Sequence, residues 1–322
     1  MIGPLASEFI KIGCIWLPGV KSSALFQGSV HTETIRGMKA SPRFSQWSGC
    51  HGFSMQRMLF VFLVFAIGAY GFFIEPYQVG LTLLDLRGEP VGSGIRGLVA
   101  VHLTDLHTGK IGVREKKVLS LVRELKPDLI FLTGDFVKWR GDYSQALAFL
   151  DEIRAKHGVF GVLGDYDTSD SRKSCLFCHE PGDYANQNRS HGVRFLRDEI
   201  LTIPVGNQEI RIGGMGFREN PDMNTIDSPD ARSPQILLSH NPLGFDGVPD
   251  ECETLVLAGD THGGQIYLPS WAWRLLGYEK NEKYNYGLFS KGKKRLFVSR
   301  GIGTSHLPLR FFRRPEVVAI YF

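Results

Sequence analysis

The sequence is short of cysteine and has little net charge, and both features exclude classes of protein. Five cysteines in 322 residues are few and odd in number, so they do not form the disulfide framework of a small secreted domain. The formal charge is +4, but residues 1–57 carry six basic and two acidic residues, which leaves residues 75–322 neutral. The larger part of the chain therefore lacks the basic field that favours nucleic acid.

Long hydrophobic runs are also scarce, and the sequence has no internal repeat and no low-complexity tract. One run, Met58–Ile74, extends for 17 residues without a charge, at the low end of what spans a bilayer. Its apolar and aromatic residues would surround a helix on all sides, which suits lipid better than a core that faces water on one side. We predict a membrane anchor or signal-like segment at residues 55–75, with a buried core helix as the alternative.

Residues 1–54 have mixed composition and no periodicity, and we interpret them as an N-terminal extension. Met55 and Met58 are alternative starts, and a chain that begins at Met55 resembles a signal peptide or signal anchor. Basic residues precede the apolar run and Glu75 follows it, so the positive-inside rule would export the rest of the chain. An anchor that lies in one leaflet without crossing is a further alternative.

Five apolar runs, far apart in the sequence, each lead to an Asp or a His. Such runs are typical of buried strands, and side chains at the ends of buried strands converge on one edge of a sheet. Side chains at i and i+2 of an extended chain point the same way. We therefore expect Asp105 and His107 to bind one ion together, and Asp260 and His262 likewise. The residues at these ends are Asp105 and His107, Asp135, Asp165, His240, and Asp260 and His262.

The residue types at these ends predict a centre of two metal ions. Carboxylate and imidazole ligands without thiolates suit Mn, Mg, Fe or Zn. A central Asp that bridges two ions is the recurrent device for phosphoester hydrolysis. Asp135 follows a glycine at a predicted strand end, and we expect it to be the bridge.

Strands and helices alternate after the anchor. The patterns predict strands at 97–105 and 128–134, a third strand that ends at Leu163, and helices near 114–126 and 144–155. This βαβαβ order indicates a parallel sheet with right-handed crossovers. The second half is rich in strands, so the fold class is α/β, a sandwich of two sheets flanked by helices. The predicted strands of that half are 209–215, 235–239, 254–258, 295–299 and 317–322.

Two segments of the domain do not fit this alternation. Residues 75–97 contain two prolines and several glycines and are interpreted as a linker or an edge hairpin. Residues 165–191 are too long for a simple connection and are interpreted as a functional lid.

The motifs together resemble one family. They are DLH at 105–107, GD at 134–135, GDYD at 164–167, SHNP at 239–242, GDTHGGQI at 259–266 and SRGIGTS at 299–305. This set resembles the calcineurin-like metallophosphoesterases, over about Gly97 to Phe322, and is most similar to a bacterial membrane-associated branch. The resemblance implies a metallophosphoesterase β-sandwich in a domain at 76–322. It also implies one ion on Asp105, His107, Asp135 and His262, and a second on Asp135, Asp165, His240 and Asp260.

The chain departs from the family pattern at two places. The family usually has Asn-His where this chain has Asp165–Tyr166, and His in place of Asp260. The added carboxylates favour Mn²⁺, with Mg²⁺ as an alternative and Zn²⁺ less suited. The resemblance implies that the missing His would orient phosphate or protonate the leaving group. We expect catalytic roles for Asp135, Asp165 and Tyr166, with a tyrosine that only packs as the alternative.

The missing His also bears on the substrate class. A phosphate monoester leaves without a proton because its second pKa is about 6, so the pattern favours cleavage of a phosphoanhydride. Relatives in this branch split UDP-2,3-diacylglucosamine into UMP and 2,3-diacylglucosamine 1-phosphate in lipid A synthesis. The resemblance thus implies that substrate, contact with membrane lipid, and a place at the cytoplasmic face of the bacterial inner membrane. The alternatives are a broad phosphodiesterase or phosphatase for another envelope phosphoester, and an inactive metal-binding relic.

Three residues outside the ligand set are predicted to contact substrate: Arg189, His191 and Arg300. Arg189 belongs to the predicted lid, and its guanidinium suits bidentate contact with phosphate. Arg300 follows a predicted strand end, so it lies at the same edge as the metal ligands, where a structural contact is the alternative. Solvated side chains are the alternative for the lid residues.

Two further patterns are weaker. Cys175, Cys178 and His179 match a haem attachment pattern and, with His191, a zinc knuckle, although free thiols in a loop are favoured. The aromatic and apolar residues at 271–278 and at 310–314 are typical of a core, but beside the metals they also suit acyl chains or a bilayer surface.

Overall fold

The structure is a computed structural model that describes residues 54–92, 95–138, 143–168, 192–218 and 233–322. Several predictions concern residues outside these ranges: the N-terminal extension, most of the lid, the Cys175–Cys178 motif, and the substrate contacts Arg189 and His191.

Two six-stranded sheets form the centre of the described domain. In chain order the strands are β1 (Gly80–Asp85), β2 (Val99–Leu103), β3 (Leu129–Thr133), β4 (Val159–Val162), β5 (Val193–Phe195), β6 (Glu199–Val205), β7 (Gln208–Gly214), β8 (Ile236–Leu238), β9 (Leu255–Ala258), β10 (Gly287–Lys291), β11 (Lys294–Val298) and β12 (Glu316–Tyr321). The first sheet has the order β1-β12-β2-β3-β4-β5 and the second the order β10-β11-β9-β8-β7-β6. The predicted α/β sandwich is confirmed.

The described helices are α1 (Met55–Phe73), α2 (Val113–Leu125), α3 (Ser144–Glu152), α4 (Asp165–Thr168), α5 (Ser270–Leu275) and α6 (Glu279–Lys283). Helices α2 and α3 connect β2, β3 and β4, which pair in parallel as the βαβαβ order predicts. Val118, Leu119 and Val122 of α2 are buried in a core with Phe149 and Leu150 of α3. Burial of each such side chain stabilises the fold by about 1.5–3 kcal/mol.

A second core lies between the two sheets and fixes their strand ends relative to each other. Phe131 of β3 and Ile320 of β12 belong to the first sheet, and Ile212 of β7 and Leu257 of β9 belong to the second. Side chains of both sheets therefore interlock in one packed layer, in which small displacements are costly.

The linker or edge hairpin predicted at residues 75–97 is wrong in both forms, although β1 does lie at the edge of its sheet. Strand β1 instead pairs in parallel with β12, from Gly80 with Glu316 to Asp85 with Tyr321. Its partner lies at the opposite end of the sequence, and local patterns do not predict such a pairing. The consequence is that the segment after α1 is an integral strand of the first sheet.

Helix α1 is long and apolar enough to cross a membrane, by length and composition. Most of its apolar side chains are exposed, including Phe60, Phe62 and Phe65. Ser54 caps the helix, since its hydroxyl accepts a hydrogen bond from the Arg57 N–H. These features weakly suggest membrane association.

The end of α1 is attached to the domain. The Arg310 N–H donates to the carbonyl oxygen of Gly71 (3.0 Å), and the Arg313 N–H donates to the Glu75 carboxylate (2.6 Å). A Cβ at Gly71 would lie 2.7 Å from Leu309 Cδ1, so glycine permits this close approach. Residues 309–313, the segment that receives the end of α1, therefore have a defined position relative to the helix.

Candidate metal centre

Residues after five strand ends meet at one edge of the sandwich. Their ligand atoms form two groups in which all atoms lie within 4.8 Å of one another. The first group is Asp105, His107, Asp135 and His262, and the second is Asp135, Asp165 and His240. Six of the seven residues predicted as ligands are thus brought together, and Asp135 belongs to both groups.

The first group is entirely buried. His107 Nε2 lies 3.4 Å from Asp135 Oδ2 and 3.1 Å from His262 Nε2, which in turn lies 3.6 Å from Asp105 Oδ1. Burial lowers the pKa of His107 to about 3 and that of His262 well below its usual value. Neutral imidazoles and carboxylates facing one point are the donor set that a divalent cation requires.

The second group contains an imidazole with a defined orientation. His240 Nδ1 lies 2.7 Å from the carbonyl oxygen of Thr133, which leaves Nε2 as the lone-pair nitrogen when the ring is neutral. Within the described residues, this buried Nε2 makes no hydrogen bond, and it lies 3.6 Å from Asp135 Oδ1 and 3.4 Å from Asp165 Oδ1. A lone pair that faces two carboxylates needs a positive charge between them.

The charges of the site lead to the same requirement. Burial lowers the pKa of His240, but the Asp135 and Asp165 carboxylates outweigh it and raise that pKa well above its usual value. Burial also raises the pKa of Asp105 to about 7 and that of Asp135 well above its usual range. In the ion-free chain these groups favour protons, and divalent cations satisfy the same carboxylates at neutral pH. The buried Asp/His cluster suits a binuclear metal site.

The backbone at the site is not extended. The φ angles are positive at Asp105 (51°), His107 (41°), Asp135 (56°), Asp260 (70°) and His262 (52°). Extended i, i+2 geometry is therefore the wrong reason for the pairing, although Asp105 and His107 do share the first group as predicted. Left-handed conformations cost non-glycine residues about 1–3 kcal/mol each and concentrate at functional sites.

Gly134 shows how closely the strand ends approach each other. Its φ is +91°, and a Cβ there would lie 2.6 Å from the Gly164 nitrogen and 2.7 Å from His240 Nδ1. Any side chain would push apart the loops that carry Asp135 and Asp165. The glycine before the bridging candidate is thus a steric requirement.

Asp260 occupies a different position from the one that the family resemblance implies. It belongs to neither group, and its carboxylate binds the ammonium group of Lys280. Its backbone N–H donates to the Asp105 carboxylate (3.2 Å). Asp260 and His262 therefore do not face one ion together in this structure.

Asp167 organises the site, and sequence reasoning missed it. Its buried carboxylate accepts four backbone N–H groups, from Asp135 (2.8 Å), Phe136 (2.9 Å), Val137 (3.3 Å) and Gly164 (3.0 Å). Burial raises its pKa to about 6, although these hydrogen bonds lower it. The available signal was the last residue of the GDYD motif, an acid three residues after a strand-end glycine.

A cavity of about 400 Å³ opens beside the two groups. Tyr166 lines it, and its buried ring packs edge-on against His107 at 4.6 Å between centroids. The Tyr166 hydroxyl lies 3.3 Å from Nε2 of His306, a further lining residue that sequence reasoning missed. Tyr166 thus both packs against the first group and presents its hydroxyl to the cavity.

Arg300 is held in a structural contact. Its guanidinium Nε donates to the buried Glu316 carboxylate (3.0 Å) and lies over the Tyr286 ring at 4.7 Å. Arg300 is not among the residues that line the cavity. Of the two alternatives for Arg300, the structure favours the structural one over contact with phosphate.

The aromatic and apolar residues at 271–278 were predicted either to form a core or to contact acyl chains or a bilayer, and the structure has both buried and exposed members. Trp273 is buried against Gly264 and lines the cavity. Trp271, Leu275 and Leu276 are exposed. The inner side of α5 thus lines the cavity, and its exposed side carries Trp271 and Leu275 together with the polar Ser270 and Arg274.

Comparison with known proteins identifies the family. The calcineurin-like phosphoesterase family matches residues 98–264. The uncharacterized metallophosphoesterase YkuE of Bacillus subtilis (strain 168) is 28% identical over 258 residues, 78% of this chain and 88% of YkuE. The phosphodiesterase YaeI of Escherichia coli (strain K12) is 28% identical over 226 residues, 68% of this chain and 79% of YaeI.

A further relative has a named substrate. The UDP-2,3-diacylglucosamine pyrophosphatase LpxG of Chlamydia muridarum (strain MoPn / Nigg) is 27% identical over 296 residues, 76% of this chain and 89% of LpxG. The family match covers half of the chain and includes residues of both ligand groups. The chain therefore belongs to the calcineurin-like phosphoesterase family and is a metal-dependent phosphoester hydrolase.

Proposed function

We propose that this protein hydrolyses the diphosphate of UDP-2,3-diacylglucosamine, giving UMP and 2,3-diacylglucosamine 1-phosphate, at a membrane surface. The observation that carries the proposal is the position of the paired Asp/His groups. They open into a cavity whose wall helix, α5, exposes the large apolar side chains of Trp271 and Leu275. Such a site offers charge for a diphosphate and apolar surface for acyl chains.

The grouping of the donor atoms indicates which residues would hold each of the two ions. Asp105, His107, Asp135 and His262 would hold one ion, and Asp135, Asp165 and His240 the other. Mn²⁺ is the proposed metal, because the set combines carboxylates with imidazoles and contains no thiolate. Two bound ions would activate a water and polarise the phosphoryl group.

The side chains around the groups position the substrate. The oxygens of Asp135 face different imidazoles, with Oδ2 toward His107 and Oδ1 toward His240, so this one carboxylate can serve both positions. The Tyr166 hydroxyl points to the cavity beside His306 and would bond a phosphate oxygen. A sugar 1-phosphate or UMP leaves as a phosphate, so hydrolysis does not depend on a general acid at position 166.

The apolar surface near the site suits an amphiphilic substrate. Trp271, Leu275 and Leu276 are exposed on or next to α5, and Phe312 is exposed on the segment that receives the end of α1. The carbonyl oxygen of Phe311 accepts a hydrogen bond from the Tyr267 N–H (3.0 Å), which joins that segment to the chain leading into α5. Tryptophan, here Trp271, is enriched at membrane interfaces.

These features support association with the bacterial inner membrane through α1. The proposed face is cytoplasmic, because the proposed substrate forms there; we give this more weight than the export that the positive-inside rule predicts from the basic residues before α1. The membrane would then present acyl chains to the apolar surface, and the diphosphate would enter the cavity from the headgroup layer.

A second candidate is a broader phosphodiesterase or phosphatase. The likeness to the phosphodiesterase YaeI is of the same degree as the likeness to LpxG. The cavity also admits a small phosphodiester. The two candidates differ in whether acyl chains contribute to recognition.

The proposal is tested by measuring the Mn²⁺-dependent release of UMP that the detergent-solubilised full-length protein catalyses. We expect rapid release from UDP-2,3-diacylglucosamine, and at least about a hundredfold lower kcat/KM for the deacylated sugar nucleotide, since acyl chains add apolar contact. Bis-p-nitrophenyl phosphate should be cleaved slowly. Equal turnover of the acylated and deacylated sugar nucleotides, or cleavage of the p-nitrophenyl ester alone, would reject the lipid substrate and favour the phosphodiesterase.

A further inference from the structure

The two ion positions differ in the number of side chains that serve them. Four residues form the first group, and all of them are buried. Three residues form the second group, one of which, Asp135, is shared, and Asp165 is partly exposed. By the family pattern Asp260 would supply a fourth ligand, and a third carboxylate, to the second position, but its carboxylate is bound to Lys280.

Lys280 is fixed at this place. It lies on α6, and the next residue, Asn281, donates from its side-chain amide to the carbonyl oxygen of Thr261 (3.1 Å). Thr261 stands between Asp260 and His262, and its hydroxyl donates to the carbonyl oxygen of Asn285 (2.6 Å). These two hydrogen bonds tie α6 and the residues just after it to Thr261, the neighbour of Asp260 in the chain.

The ion pair is partly buried, which strengthens it. The side chain of Asp260 is 14% exposed and that of Lys280 is 36% exposed. The ammonium group of Lys280 is therefore held at Asp260 in a place with restricted access to solvent.

We propose that Lys280 and the second divalent ion compete for the Asp260 carboxylate, so that the second position is a weak, exchangeable site. A fixed positive charge opposes a nearby cation, and it also occupies a carboxylate that the ion would use. Occupancy of the second position, and with it turnover, then follows the free concentration of the divalent ion. This inference rests on the two-ion hydrolase proposed above, and it adds a control of that site by ion supply.

The test is a titration of chelator-treated full-length protein with Mn²⁺, with free ion measured by electron paramagnetic resonance. The wild type should bind one ion tightly and a second at least about tenfold more weakly. Lys280→Met keeps the aliphatic stem and removes the charge. It should tighten the second site at least about tenfold and leave the first unchanged.

Two matched variants show whether the effect runs through Asp260. Lys283→Met removes a lysine of the same helix that pairs with Glu279, and it should bind both ions as the wild type does. In an Asp260→Asn background, the gain from Lys280→Met should fall to about threefold or less, which is the part that the lysine charge contributes without Asp260. Thermal unfolding of each variant confirms that it is folded.

Equal affinity of the two wild-type sites would overturn the inference, as would a Lys280→Met variant with unchanged second-site affinity. Either result with hydrolysis intact would reject only the competition. Binding of fewer than two ions at saturating Mn²⁺ would reject the proposed two-ion function and the inference together.

Discussion

Asp135→Asn is expected to lower Mn²⁺-dependent hydrolysis by at least about a thousandfold, which corresponds to several kcal/mol of lost transition-state stabilisation. Asp135 belongs to both ligand groups, with Oδ2 facing His107 and Oδ1 facing His240. An amide has the same shape but offers one oxygen and no charge, so it cannot serve two cations. The measurement is kcat for UMP release, together with bound Mn²⁺ per chain.

The control for this variant is Asp151→Asn, which changes an exposed carboxylate on α3 to the same amide. It should leave both hydrolysis and bound Mn²⁺ unchanged. Retention of more than a tenth of the wild-type kcat in Asp135→Asn would contradict the role of Asp135. Loss of folding is excluded by an unchanged thermal transition of the ion-free protein.

The second large effect is expected at Asp167, where substitution by alanine should destabilise the domain by about 3 kcal/mol or more. Four backbone N–H groups from the ends of β3 and β4 would lose their acceptor in a buried place. For a domain of this size, the loss corresponds to a fall in Tm of about 6–12 °C. Thermal unfolding in detergent measures it.

The same variant should also bind Mn²⁺ more weakly, because the Asp135 N–H is one of the groups that Asp167 orients. Asp167→Asn is the graded comparison, and we expect an intermediate Tm since its carbonyl oxygen still accepts hydrogen bonds. Should Asp167→Ala unfold within 2 °C of the wild type, the carboxylate would have no organising role.

The ligand set could be predicted because each member follows an apolar run, and strand ends converge on one edge of a sheet. This pattern located six residues that the structure places in the two groups. The pairing of β2, β3 and β4 followed from the βαβαβ order in the same way. Both inferences depend on local periodicity and on the rules that connect neighbouring elements.

Other features depend on contacts between distant segments, which local patterns do not encode. Lys280 reaches Asp260 from a short helix that no hydrophobic periodicity predicts. Strand β1 depends on β12 at the far end of the chain, and His306 reaches Tyr166 from the loop after β11. Left-handed backbone at residues such as Asp105 is imposed by the surrounding fold against intrinsic preference.

Anomalous diffraction at the manganese edge, from crystals of the full-length protein grown with excess Mn²⁺, tests the two-ion centre most directly. The account predicts two peaks, one among Asp105, His107, Asp135 and His262, and one among Asp135, Asp165 and His240, with a carboxylate oxygen of Asp135 bound to each ion. A single peak, or two peaks that do not share Asp135, would contradict it.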